Sequence, residues 1–159
     1  MKEIITRRNK GILLAVLAII LLMVAYWLIS PLFINKQASE TLIDLMPPEE
    51  QEAKIEMLKY GNFEGLAGHN AQGMATLLKI GEKYYVRLED DFTVTNGPDL
   101  FVHFGKDGEY DASARLGGLK GNIGGQNYEV PTGLDPENYN EVWIWCRSFS
   151  VPFGKAMLK

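Results

Sequence analysis

Two patterns of apolar positions divide the chain. No charged residue occurs from position 11 to position 34, and nearly every position between 12 and 29 is aliphatic or aromatic. A helix rises about 1.5 Å per residue, so a helix of this length crosses the roughly 30 Å hydrocarbon core of a bilayer. From Gly61 onward, short apolar runs alternate with glycine, asparagine and proline, which is typical of strands joined by turns. The pattern predicts a transmembrane helix over residues 11–34, followed by an all-β domain.

The charges around the apolar segment predict its orientation. Residues 1–10 contain four basic side chains and one acid, whereas the whole chain carries a net charge of −4. Positive flanks tend to stay in the cytoplasm, so we expect residues 1–10 inside the cell and the C-terminal domain outside it. A cleaved signal peptide is the alternative, but bulky residues occupy much of 27–33, where cleavage requires small ones. The sequence favours an uncleaved, single-pass signal anchor whose residues 11–34 contact membrane lipid.

The sequence predicts a tether over residues 35–60 that contains a short helix. Pro47-Pro48 ends any helix that continues from the membrane. Residues 49–59 carry acids in the first turn and Lys59 in the last, which is the order that the helix dipole favours. The β domain then occupies residues 61–159.

Within the β domain the pattern predicts nine short strands. Gly81-Glu82 and Asn96-Gly97-Pro98-Asp99 are turn signals between apolar runs. Antiparallel strands of this length with regular turns indicate a sandwich or a barrel-like domain. The predicted strands are 61–67, 73–80, 83–89, 91–95, 100–105, 113–119, 126–130, 141–147 and 149–158.

The single cysteine is the main candidate for chemistry. Period-two alternation places Cys146 on one strand face with Val142 and Ile144, while Trp143, Trp145 and Arg147 share the other face. A free cysteine is commonly a small core residue, but it can also be a redox or metal-binding thiol. The residues alone leave both interpretations open.

The two histidines are weaker candidates. His69 follows the first predicted strand and is expected in a loop, and His103 alternates with Phe101 beside its ring. The histidines and the cysteine could meet in space as a metal site, although no CxxC or HxxxH spacing occurs. The acidic segment 107–111 lacks the ligand alternation of a calcium loop and is expected to be a solvated turn.

Composition excludes some classes of function. The acidic balance argues against a nucleic-acid partner. No nucleophile elbow or paired-carboxylate arrangement supports hydrolase chemistry, so an enzyme is the less favoured class.

An ordered series of short motifs covers residues 61–158. Each motif is weak alone, but their order and spacing are specific, and on them the domain resembles the DM-thirteen family, often labelled an electron-transfer domain. The motifs are Gly61-x-Phe63, Gly68-His69 with Gly73, Leu88-x-x-Asp91-Phe92, Asn96-Gly97-Pro98-Asp99-Leu100-x-Val102, Leu116-Gly117-x-Leu119-Lys120-Gly121-Asn122, Gly124-x-Gln126-x-Tyr128, Val142-x-Ile144-Trp145-Cys146 and Phe149-x-Val151-x-Phe153-Gly154-x-Ala156.

The resemblance implies a β-sandwich-like surface domain, which in animals is joined to DOMON-type and cytochrome-type redox modules. It implies a redox role centred on Cys146. In this hypothesis Cys146 is a catalytic thiol or binds a metal together with His69. The sequence requires no cofactor, and copper or heme on a partner would suit the role. This sequence contains no such module, so the redox partner would be a separate protein.

The alternative hypothesis is a non-enzymatic surface binding or scaffolding domain. In it, loops 96–99, 107–111 and 121–125 contact a protein or an envelope polymer, because loops on a rigid scaffold commonly carry recognition. Cys146 is then a packed core residue.

Overall fold

The computed structural model describes residues 7–30, 33–46 and 54–159. Its first compact unit contains helix α1, Arg7–Ile29. The segment Asn9–Trp27 is long and apolar enough to cross a membrane, and none of it is buried against the rest of the described chain. These properties fit a membrane anchor or a signal sequence, and they do not define the side on which the C-terminal domain lies.

The second compact unit, residues 35–159, is a nearly closed antiparallel β-barrel. Eight strands form one sheet in the order β7-β6-β9-β10-β1-β3-β4-β8, whose two edge strands are in contact, and β2 pairs with β5 separately. The strands are β1 Ile55–Gly65, β2 Ala71–Gln72, β3 Met74–Ile80, β4 Lys83–Leu88, β5 Thr93–Val94, β6 Leu100–Lys106, β7 Glu109–Gly118, β8 Gln126–Glu129, β9 Glu141–Cys146 and β10 Val151–Met157.

Alternate side chains of the strands fill the barrel. The predicted alternation on β9 is confirmed, because Val142, Ile144 and Cys146 are fully buried in the core. On the neighbouring β6, Val102 and Phe104 are buried in the same way. The two strands therefore present one face to the core and the other to the outside.

The predicted short helix over residues 49–59 is wrong where the structure describes it. Residues 47–53 lie outside the described residues, and β1 begins at Ile55. β1 pairs with β3 and β10, and its register with β3 shifts between Met57 and Lys59. This bulge leaves Leu58 as an extra residue. The acidic start and basic end that predicted a helix are local signals, whereas pairing with β3 and β10 makes the segment a strand.

The first part of the predicted tether is also corrected. Residues 35–46, which we call the strap, pack on the barrel. The backbone amides of Ala38 and Glu40 donate to the carbonyls of Ile123 and Gly125, at 2.8 Å and 2.9 Å. The prediction failed because these bonds join residues far apart in sequence.

Apolar and charged contacts complete the attachment of the strap. Its Leu42, Leu45 and Met46 pack against three buried side chains of β3 and β4. Glu40 accepts from Lys120 Nζ at 2.8 Å and from the Asn127 amide at 2.8 Å. The strap is therefore part of the folded domain.

Candidate functional site

Cys146, the last residue of β9, is enclosed in the barrel core. Its side chain is 0% exposed and its thiol is free. It lies in register between Leu100 of β6 and Val151 of β10. A cysteine is activated by a cation or a hydrogen-bond donor at the sulfur. Arg147, the cation next to Cys146 in the sequence, has an exposed side chain that pairs with Asp99.

His69 lies in the turn between β1 and β2. Its half-buried ring stacks on Phe153, with centroids 3.6 Å apart and planes 10° from parallel. No hydrogen bond, ion pair or ring contact joins it to Cys146. No group of three or more His, Cys, Asp or Glu residues in the described ranges could hold a metal ion. A catalytic or metal-binding pair of Cys146 and His69 therefore stays a prediction.

The opposite side of β9 carries an aromatic cluster. We call this surface of β6, β7 and β9 the outer face. The rings of Tyr110 and Trp145 stack with centroids 3.8 Å apart and planes 16° from parallel. His103 meets the rings of Tyr110 and Phe101 edge-on, at 5.4 Å and 6.4 Å. The aromatic residues of the outer face are Phe101, His103, Tyr110, Trp143 and Trp145.

His103 is the buried polar centre of the outer face. Its Nδ1 donates to the carbonyl of Asp111 at 3.1 Å, because the carbonyl can only accept. Burial lowers the pKa of His103; the bond to Asp111 opposes this shift, and the nearby Arg115 adds to it. The neutral imidazole therefore joins β6 to the first part of β7, which carries Tyr110.

Glu141 and Gly105 determine the position of the Trp143 indole, which lies beside His103 in the sheet. The carboxylate of Glu141 is completely buried and accepts from the Trp143 indole at 3.0 Å and from Lys155 at 3.3 Å. The indole lies where a Cβ of residue 105 would be, so Gly105 is required by close approach. A buried carboxylate paired in this way orients the indole that it binds.

Two arginines flank the outer face. The guanidinium groups of Arg115 and Arg147 lie 5.3 Å and 4.7 Å from the ring centre of Phe101, within cation–π range. Arg147 also binds Asp99 through two nitrogens at 2.9 Å and 3.2 Å. Burial raises the pKa of Asp99, but hydrogen bonds from Arg147 and Ser148 outweigh it, so the pKa lies below its usual value. The arrangement combines rigid aromatic rings with exposed cations.

The sequence predicted only part of this site. The placement of Trp143 and Trp145 on the face of β9 opposite Cys146 and the position of His103 beside Phe101 are confirmed. Tyr110 was missed, because the segment 107–111 was interpreted as an acidic turn. Asp107-Gly108 is the signal that could have found it, since both residues take positive φ and close a two-residue hairpin.

Comparisons with known proteins give one match. A family model described as "Electron transfer DM13" matches residues 62–158, from the later part of β1 to the end of the barrel. No curated protein and no solved structure matches the chain. Helix α1 and the strap lie outside the matched residues.

Proposed function

Because the chain belongs to the electron transfer DM13 family, we propose that it is a membrane-anchored extracytoplasmic domain that binds a separate redox protein through the outer face. One observation carries this proposal. On β9 the thiol of Cys146 is sealed in the core, while Trp145, one residue earlier, forms a half-buried stack with Tyr110 on the outside. In this proposal the domain binds and positions its partner, and Cys146 stabilises the barrel by packing.

The outer face has the composition of a protein-binding hot spot. Tryptophan, tyrosine and arginine are the residues that contribute most often to interface energy. Phe101, Tyr110 and Trp145 are half-buried and held by ring contacts, so binding would cost little side-chain entropy. Arg115 adds positive charge beside the rings, whereas the charge of Arg147 is paired with Asp99, so the partner is expected to present an acidic group opposite Arg115.

The anchor is the second part of the proposal. The basic residues 1–10 support an orientation with the N-terminus in the cytoplasm. In the sequence, residues 30–34 separate the end of α1 from the strap. Partner binding would then take place at the outer surface of the membrane.

A photo-crosslinking amino acid at position 115 tests the docking surface in intact membranes. The matched control carries the same amino acid at Glu82, in the exposed turn between β3 and β4. We expect position 115 to crosslink a protein that carries a redox cofactor, and we expect Glu82 not to. The crosslink should persist in Cys146→Ala and be lost in Phe101→Ala. Equal crosslinking from both positions would refute the proposed surface.

A redox role of Cys146 itself is the second candidate, and the family description favours it. A lone thiol needs a partner thiol or a metal to complete a redox cycle. The test is copper binding by the full chain, compared between wild type and Cys146→Ala. Tighter binding by the wild type, or loss of the crosslinked partner in a folded Cys146→Ala variant, would favour this candidate. Equal copper affinity and an unchanged partner would exclude it.

A further inference from the structure

A groove beside the hairpin between β6 and β7 is a second feature of the surface. It is open to solvent and has a volume of about 490 Å³, which is within the range of small-molecule sites. We call it the tyrosine groove. Its lining includes Lys106, Glu109, Tyr110, Asp111, Asn138 and Tyr139.

Both tyrosine rings of the groove are held in place from behind. Tyr110 stacks on Trp145, as described above, so the indole occupies one face of its ring. Tyr139 stacks on the buried Phe104, with centroids 5.1 Å apart and planes 11° from parallel. Its hydroxyl donates to Asp111 Oδ2 at 3.1 Å. The groove therefore offers preorganised aromatic surfaces, which lose little entropy when a ligand binds.

The polar groups of the groove keep unused hydrogen-bonding capacity. Asp111 accepts from the backbone and hydroxyl of Ser113 as well as from Tyr139, and these bonds, led by the Ser113 hydroxyl, lower its pKa. The Tyr139 oxygen still has lone pairs to accept with, because it donates its hydrogen. The Asn138 amide group donates to Asp135, which leaves its oxygen available.

The charges of the groove argue against charged ligands. The lining carries both signs of charge, with the ammonium of Lys106 and the carboxylates of Glu109 and Asp111. Lys106 would repel an ammonium group, and the two carboxylates would repel an anion.

An added peptide strand is also disfavoured at this edge. The carbonyl of Asp111 is bonded to His103, and the amide of Ser113 is bonded to the Asp111 carboxylate. β-strand addition needs unpaired backbone groups on the edge strand. Side chains already form hydrogen bonds with these two backbone groups.

We infer that the tyrosine groove binds a neutral oligosaccharide. A pyranose ring presents an apolar C–H face, which suits the tyrosine rings, and hydroxyl groups, which suit the carboxylate, amide and phenol oxygens around them. This site is separate from the docking of a redox protein, although Tyr110 belongs to both surfaces. Its test therefore uses residues that lie outside the outer face.

The test measures sugar binding to the full chain in nanodiscs whose lipids carry no sugar headgroup. Cellotetraose, chitotetraose and maltotetraose are titrated by calorimetry. We expect saturable binding of at least one of the three. Tyr139→Phe and Asn138→Ala should each weaken it about threefold to tenfold, which is the effect of losing one hydrogen bond. Tyr139→Phe keeps the ring, so a folding defect is not expected to explain the loss.

Two control variants and one control ligand complete the test. Tyr84→Phe on β4 removes the hydroxyl of a tyrosine that does not line the groove, and Phe101→Ala removes a ring of the outer face; both should leave sugar affinity unchanged. No saturation by any of the three sugars, or equal affinity in the groove variants, would overturn the inference. Saturation by choline in place of the sugars would overturn it as well, because it would identify a cation site.

Discussion

Replacing Arg87 by methionine tests how the strap is held on the barrel. Arg87 is 4% exposed, and its Nη1 donates to the Glu40 carbonyl at 2.9 Å and to Asn127 Oδ1 at 3.0 Å. Its other nitrogens bind Glu89 and Asp90, at 2.8 Å and 2.6 Å. Methionine fills a similar volume but donates no hydrogen bond, so it leaves these acceptors without their donor.

The loss of unfolding free energy depends on which acceptors of Arg87 stay buried in the variant. The Asp90 side chain is 85% exposed and becomes hydrated when Arg87 is removed, so the loss of this ion pair contributes little. The Asn127 oxygen is buried, so the loss of its donor costs about 1–3 kcal/mol, and the carbonyl of the half-buried Glu40 adds about 1 kcal/mol. We therefore expect Arg87→Met to lower the free energy of unfolding by about 2–4 kcal/mol.

Urea unfolding of the full chain in detergent, followed by tryptophan fluorescence, measures this change. Hydrogen exchange of the Ala38 and Glu40 amides, which bind the barrel, should become faster in Arg87→Met. Lys83→Met is the matched control, because the ion pair of Lys83 with Glu129 is largely exposed; its effect should stay within about 0.5 kcal/mol. A loss below about 0.5 kcal/mol in Arg87→Met, with unchanged amide exchange, would show that Arg87 does not hold the strap on the barrel.

Two further predictions concern the outer face. Because burial lowers the pKa of His103, protonation favours the unfolded chain. The contribution of His103 to stability should be fully present above about pH 6.5 and be lost as the pH falls below that value. The urea midpoint should therefore be lower at about pH 5.5 than at about pH 7.5. This difference should be smaller in His103→Gln. Gly105→Ala should displace Trp143, change the near-ultraviolet circular dichroism and cost about 1–3 kcal/mol. Gly118→Ala should leave the spectrum unchanged, because its Cβ would meet Phe101 at an ordinary 3.8 Å.

The sequence predicted the parts of the fold that local patterns control. The runs that became β3, β4, β6 and β9 are bounded by turn residues and were placed to within about two residues of their ends. The alternation of β9 also placed Cys146 and Trp145 on opposite faces correctly. These features depend on neighbouring residues, so a single sequence contains them.

The sequence did not predict what depends on distant partners. The charge order of residues 49–59 suggested a helix, and only the pairing of β1 with β3 and β10 shows that it is a strand. The strap crosses Gly121, Gly124 and Gly125 so closely that a Cβ at any of them would meet its backbone. The glycines could be read from the sequence, but the packing of the strap on them could not. The strap also precedes the residues that the family match covers.

The burial of Cys146 in the core supports the proposal that the opposite side of β9 is the functional surface. The reaction rate of Cys146 with an exposed-thiol reagent tests it most directly, with the full chain as its own reference in urea. We predict that the native protein reacts at least about a hundredfold more slowly than the unfolded chain, which corresponds to an opening free energy of about 2.7 kcal/mol. A native rate within a few-fold of the unfolded rate would contradict the claim and would identify Cys146 as an accessible thiol.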